Sequence, residues 1–399
     1  VRKTQKCGAM PDTLTRHARP CEADEQILFQ SQAVNPALRI CVILPVRDEE
    51  DNILKALEAL RLQTDADGNL FAYSNYEVLM LANNCTDQSV SIARNYQIRF
   101  PDFNLHIENI ILPAATAHIG TVRRMLMDAA YDRFSMINRP DGVIASTDSD
   151  SQVHASWLYQ TLSEIEKGND VVGGRILTKP EKTISRLYYL RDITYKHLVS
   201  RLEDLIDPQS NDRWPRHFQC FGASFAVTCR IYDLSGRLPV VPFLEDMAFH
   251  KSLTMVDAKI RLSPLVRVNT SSRIQGRVDF GLSIQLKQWG EMNLANHAIM
   301  VEPAGSVIAR FTAKKLLRRI WAQAESENSL ATVADLLHLS EDWLQSQLGE
   351  HIYFGTFWDV VENQLQMQGW LQIWPKQDIC NVIPALKSEI YRIRLPLSD

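Results

Sequence analysis

Asp148 and Asp150 stand one residue apart at the end of an apolar run, Gly142-Val143-Ile144-Ala145-Ser146-Thr147, that reads as a buried strand. Residues i and i+2 of a strand share a face. The two carboxylates would therefore project together, with Ser149 between them, from the strand's carboxyl end, where open α/β sheets bind ligands. Paired hard oxygens suit Mg²⁺ or Mn²⁺ bridged to phosphates. Turn and helix-capping chemistry produces the same pair without any ligand, so the elements around it decide.

Those elements alternate. Residues 39–45 form a β-rich run that stops at Pro45. Asp48, Glu49, Glu50 and Asp51 then lead into Ile53, Leu54, Leu57 and Leu60 at helical spacing, with acids where a helix N-terminus prefers them. A second strand over 76–82 precedes a helix over about 89–100, and a third over 105–112 precedes a helix near 121–133. The strand ending in the aspartate pair is followed by Trp157, Leu158, Leu162 and Ile165, again at helical spacing. Such regularity predicts an α/β domain with a mostly parallel sheet covered by helices. Right-handed crossovers then gather every strand's carboxyl end on one rim, with Pro45, Arg47, Glu49, Asn83, Asn84, Asp87 and the aspartate pair. The pattern is less regular afterwards: a helix over 183–205, a polar loop over 207–215 expected to be mobile, and from about 291 a helical, tryptophan-rich tail without strand pattern. The tail tryptophans are expected in a core rather than as a sugar-stacking platform.

Composition excludes several classes. With 43 Lys and Arg against 47 Asp and Glu, no global field points to nucleic acid. Seven scattered cysteines, without C-x-x-C or a zinc-spaced histidine cluster, fit thiols in a reducing, cytoplasmic compartment. No apolar run approaches the roughly 20 residues of a membrane span. Residues 1–20 are polar and lack the apolar core of a secretory signal. Residues 310–321, basic and amphipathic, offer peripheral membrane contact, which would suit a lipid-linked acceptor.

Taken in order, Pro45-Val46-Arg47-Asp48-Glu49-Glu50, Asn83-Asn84-Cys85-Thr86-Asp87, Asp148-Ser149-Asp150 and Phe243-Leu244-Glu245-Asp246 form a series that resembles the family 2 inverting glycosyltransferases with the GT-A (Rossmann-like) fold, from about Leu38 to Gly290. The resemblance implies an N-terminal extension over 1–37, a nucleotide-binding half over 38–150, an acceptor half over 151–290 and a helical C-terminal domain over 291–399. It further implies a hexosyl-type transfer from a nucleotide-diphosphate sugar to a hydroxyl on a lipid or glycan. Asp150 would hold Mn²⁺ or Mg²⁺, and Asp148 would contact the ribose or a metal-bound water. Asp246, opening a helix, would be the general base, and Glu245 would orient the acceptor or support the loop. Around Gly120, the stretch His118-Ile119-Gly120-Thr121-Val122-Arg123-Arg124 resembles one that meets the donor, so Arg123 or Arg124 would neutralise diphosphate charge. Gly222-Ala223-Ser224 resembles a small-residue loop on the acceptor side. Arg273 and Arg277 would close over the pyrophosphate as a cationic loop. Ala82-Asn83 replaces the aspartate that often reads the base, so uridine is only slightly favoured. Gln285-Leu286-Lys287-Gln288-Trp289 nearly matches an element of processive synthases but lacks its arginine, which favours single-sugar transfer. Two other functions share such a sheet. A sugar-nucleotide pyrophosphorylase would need a Gly- and Arg-rich loop where Val46 to Glu50 stand, and a sugar-nucleotide-binding module would not turn over.

Overall fold

The computed structural model describes residues 28–30, 32–178, 186–271, 291–292 and 297–395. Strands β1 Ile40–Val46, β2 Tyr76–Asn83, β3 Leu105–Ile110, β4 Val143–Ser146, β5 Ser151–Val153, β6 Val171–Thr178, β7 Phe225–Thr228 and β8 Ile260–Thr270 form one sheet in the order β3-β2-β1-β4-β7-β6-β8-β5. Every residue of β1 and β2 is buried, Glu77 included, as strands covered on both faces must be. Along β1 the side chains alternate between two cores: Ile40, Val42, Leu44 and Val46 enter one, Cys41 and Ile43 the other. Pro45 is tolerated in this central strand because β4 stops at Ser146, opposite Ile43, leaving only β2 beside it.

The parallel block β3-β2-β1-β4 agrees with expectation, but the rim is not shared by all strands. β7 inserts between β4 and β6 antiparallel to both, and β5 runs antiparallel to β8. The short apolar run at 225–228 carries no signal of its direction; pairing with β4 decides it. Helices α1 Ile53–Arg61, α2 Ser89–Arg99, α3 Ile119–Met136 and α4 Trp157–Glu166 cover the sheet, followed by α5 Arg186–Ile206, α6 Cys229–Leu234 and α7 Glu245–Met255. On α1 the buried stripe is Ile53, Ala56, Leu57 and Leu60, while Leu54 faces solvent. The 207–215 loop is tied down rather than loose: buried Asp212 bonds Arg216, Arg261 and the Leu262 N–H.

The tail contains α8 Ala304–Trp321, α9 Leu330–Leu337, α10 Glu341–Gln347, α11 Phe354–Met367, α12 Trp370–Ile373 and α13 Ile379–Arg394. It also holds a two-residue ladder, β9 Met300–Val301 against β10 Gln377–Asp378, too short for sequence periodicity to register. Trp358 and Trp370 are buried in its core, as expected. A second core joins Leu202 and Ile206 of α5 to Val307 and Phe311 of α8 and Leu386 of α13. The tail also meets α7. The Asp257 carboxylate accepts the N–H groups of Phe354 and Gly355, each at 2.7 Å, capping α11. A Cβ on Gly355 would stand 1.7 Å from the Thr254 carbonyl oxygen, so backbone meets backbone there.

One buried ion pair locks α3 to the sheet. Arg133 donates to both carboxylate oxygens of Glu77, at 2.7 and 2.6 Å, with the two side chains 1% and 4% exposed. Burial alone would raise the Glu77 pKa; the Arg133 bonds and His106 outweigh it and hold the carboxyl at about 2. The folded value lies below the unfolded 4.5, so this stabilisation is present above pH 4.5 and is lost as pH falls towards 2. It amounts to about 3 kcal/mol. Chemical denaturation of wild type and Glu77→Gln across pH 2–7 should show the two curves converging by about that amount at the acid end. Curves that stay parallel would refute the assignment.

Candidate active-site cleft

The chain leaves β1 to build β2 and β3 on one side and returns to place β4 on the other, so the crevice beyond the carboxyl ends of β1 and β4 is a topological switch point. The loops entering it are laced together by their own acids. Asp48, held at φ 50, accepts the N–H groups of Thr86 at 2.6 Å and Asp87 at 3.3 Å. Asp87 accepts from the N–H groups of Glu50 and Ser89, both at 2.9 Å, and Glu50 accepts from Gln88. Asn84 exchanges two hydrogen bonds with the Leu112 backbone. Asp48, Cys85 and Asp87 bring ligand atoms within 4.8 Å of one another, but the two carboxylates are already committed to this lacing. Arg47 and buried Glu49 remain on the cleft side; Arg47 also donates to the Ala117 carbonyl at 3.0 Å.

Beyond β4, the aspartate pair meets α3 and α7. Arg123, 3% exposed, donates one nitrogen to Asp148 at 2.7 Å and another to Glu245. Gly222 lies against this guanidinium: a Cβ there would come within 2.5 Å of it. The absence of a side chain at Gly222 is therefore explained by Arg123. α7 begins abruptly after Leu244, a left-handed residue at φ 57, which sends Glu245 inward and leaves Asp246 half-buried at the cleft. Asp246 accepts the Gly222 N–H at 2.9 Å and the Met247 N–H at 2.8 Å, two donors that fix its orientation. Burial raises the Asp148 pKa; Arg123 opposes that, while Asp246 and Glu49 add to it. The Asp148 side chain keeps 36% exposure towards the cleft, and solvent there moderates the effect. Asp150 Oδ1 lies 3.4 Å from the Ser151 hydroxyl and 3.5 Å from that of Thr270, contacts long enough for a cation to replace.

The cleft encloses about 2210 Å³, more than the roughly 300–1,000 Å³ of a single-ligand pocket, and its two ends differ in charge. At the sheet rim, Arg47 and Arg123 face Glu49, Asp148, Asp150, Glu245 and Asp246, a surplus of carboxylate. Among the described residues this rim offers a diphosphate little positive charge, and hard, cleft-facing carboxylates are the donor set that Mg²⁺ or Mn²⁺ takes. The outer end, from α5 and the segment after it, the later turns of α7 with residues 257–259, and the tail, carries eight lysines and arginines and eight carboxylates among the described residues. Lys196 pairs with Asp192 at 2.8 Å and Lys251 with Asp359 at 2.7 Å. On α8, Arg310 pairs with Glu302 at 2.9 Å, Lys314 with Glu203 at 3.9 Å and Arg318 with Asp207 at 3.2 Å.

Of the residues singled out from sequence, Pro45, Arg47, Glu49, Asn83, Arg123, Asp148, Ser149, Asp150, Glu245 and Asp246 line this one cleft. Asn84 and Asp87 serve the lacing instead. Arg124 turns away to Asp128 and the Leu238 carbonyl. Gly120 packs against the Val241 backbone, 2.0 Å from where its Cβ would lie, rather than facing a ligand. Arg123 reaches the site, but as a strut between two carboxylates rather than an open phosphate partner. Arg273, Arg277 and the 285–289 element lie outside the described residues. The expected membrane face on α8 is a correction: Ala309, Ala313 and Leu317 enter one core and Val307 and Phe311 another, so both apolar sides are used internally. Among the described residues no helix is long and apolar enough to cross a membrane. Sequence reasoning missed His250, which lines the cleft one turn after Asp246; its signal was the i, i+4 spacing on α7.

Residues 41–229 match the family described as "Glycosyl transferase family 2". A curated relative, the glycosyltransferase AglE of Haloferax volcanii, is 30% identical over 139 residues, 34% of this chain and 39% of that protein. The match therefore spans about two fifths of that relative's length. Among solved structures, S. aureus TarS 1-349 in complex with UDP shows 14% identity and a TM-score of 0.42, covering 89% of each chain. The Pyrobaculum calidifontis mannosyltransferase PcManGT, in complex with GDP-Man and Mn2+, shows 14% identity and a TM-score of 0.40 over 91% of this chain and 90% of that one.

Proposed function

We propose that this chain, whose residues 41–229 match glycosyl transferase family 2, moves one hexosyl group from a nucleotide-diphosphate sugar to an acceptor hydroxyl with inversion. The observation that carries this is the strut Asp148–Arg123–Glu245, which fixes the aspartate pair and the start of α7 against each other across one cleft. Donor and acceptor would thus be held in a fixed relation, the main requirement for a displacement.

Asp150 and Asp148 would hold the divalent cation, which when bound stabilises negative charge on the departing diphosphate. Asp246 takes the proton of the acceptor hydroxyl as its oxygen attacks the anomeric carbon opposite the leaving group. The new C–O bond forms while the bond to phosphate breaks, and the proton ends on Asp246. The Gly222 and Met247 N–H groups keep that carboxylate aimed beforehand.

A thermal-shift panel of UDP, GDP, CMP and dTDP sugars, with and without Mn²⁺, tests the donor site. A ligand at 100 times its Kd stabilises the native state by about 2.7 kcal/mol, so the true donor should raise Tm by several degrees only with metal. Asp150→Ala is expected to erase the metal-dependent part of that shift. A panel with no metal-dependent response would refute the donor site.

A further inference from the structure

We infer that the outer half of the cleft receives an uncharged, hydroxyl-rich acceptor, a glycan or glycoside, rather than a phosphate-bearing or lipid-phosphate acceptor; this rests on the glycosyl-transfer function proposed above. The charge arrangement is the first ground. Among the described residues the sheet rim carries surplus carboxylate, but the outer half balances eight cations with eight carboxylates, and six of those cations, Lys196, Arg216, Lys251, Arg310, Lys314 and Arg318, are ion-paired. A phosphate group would need those cations uncompensated, because capturing it would break their pairs and leave carboxylates stranded beside an anion. Neutral hydroxyls can bond to an intact ion pair, donating to the carboxylate and accepting from the ammonium or guanidinium.

The second ground is His250. It lies on the same face of α7 as Asp246, faces the outer half, and makes no hydrogen bond with the described residues. Burial, then the nearby Lys314, lowers its pKa against the pull of Glu203 and Asp246, which favours the neutral imidazole with one donor and one acceptor. That is the complement of a hydroxyl, and it sits within one helical turn of the proposed base. Beside it the cleft is lined by Phe243 and Met247, 42% and 53% exposed, which offer apolar surface to the C–H faces of a sugar ring. Paired charges, a neutral imidazole and a partly exposed ring together describe a carbohydrate surface.

The full chain, with its productive nucleotide sugar and Mn²⁺, is offered uncharged p-nitrophenyl hexosides and neutral oligosaccharides in parallel with hexose 1-phosphates and a detergent-dispersed polyprenyl monophosphate. Transfer is read by mass spectrometry and donor hydrolysis by nucleotide release. Product is expected on uncharged acceptors. His250→Ala should raise the acceptor KM about fivefold to tenfold, the worth of one neutral hydrogen bond, and His250→Gln, which keeps a donor and an acceptor, should recover most of it. A kcat/KM at least tenfold higher for a phosphate-bearing acceptor would overturn the inference. So would donor hydrolysis without transfer to any uncharged acceptor, or an acceptor KM indifferent to both His250 variants. Absence of donor hydrolysis and of transfer across the whole panel would instead overturn the glycosyl-transfer function, and the acceptor inference with it.

Discussion

Asp246→Asn is expected to lower sugar transfer by about 10³-fold, within the range that a positioned general base contributes. The nucleotide sugar should still bind with near wild-type affinity. The asparagine has the same shape, and its amide oxygen can still accept the N–H of Gly222 or Met247, so the turn into α7 survives. What is lost is the capacity to take a proton. Single-turnover transfer alongside calorimetric donor binding separates the two effects. Full transfer by the variant would remove Asp246 from the reaction, and loss of donor affinity in step with rate would recast it as a binding residue.

Replacing Arg123 by methionine should cost both stability and activity. Its guanidinium is 3% exposed and joins Asp148 to Glu245, itself 5% exposed. Methionine fills most of the volume but leaves Glu245 buried without its cation, a loss of about 3–5 kcal/mol when one partner of a buried pair is removed. A double variant, Arg123→Met with Glu245→Gln, should regain much of the stability because no charge is then stranded. It should stay inactive, since nothing would bind α7 to the aspartate pair. Urea denaturation of the four proteins in this cycle gives the coupling directly. A single variant within 1 kcal/mol of wild type, or an active double variant, would show that the strut does not hold the site.

The parallel half of the sheet and its rim were legible because β1, β2 and β4 are mostly apolar runs ending in polar clusters, a signal that needs no tertiary knowledge. Asp148, Asp150, Glu245 and Asp246 could be picked out as residues but not related to one another. Nothing in the sequence shows that Arg123 is buried, or that the next residue, Arg124, points the opposite way to Asp128. That Asp87 bonds the backbone N–H groups of Glu50 and Ser89 was not legible either: a short acid at a loop is as ready to bond backbone N–H groups as to meet a substrate. The direction of β7 and the outer wall of the cleft depend on long-range packing, which local periodicity does not encode.

The contact of Gly355 with Thr254, and the capping of α11 by Asp257, bear on how acceptor preference can be re-engineered. α7 is pinned at its start by Arg123 and at its end by α11, so the C-terminal helices are not a detachable cassette. A chimaera that borrows another enzyme's outer wall must carry a matched pair at 257 and 355. With any bulkier residue at 355, the graft would press on the Thr254 carbonyl and displace the end of α7, the helix that opens with Glu245 and Asp246. The breakpoint for such exchanges therefore belongs upstream of Glu245, with α7 travelling together with the helices that brace it.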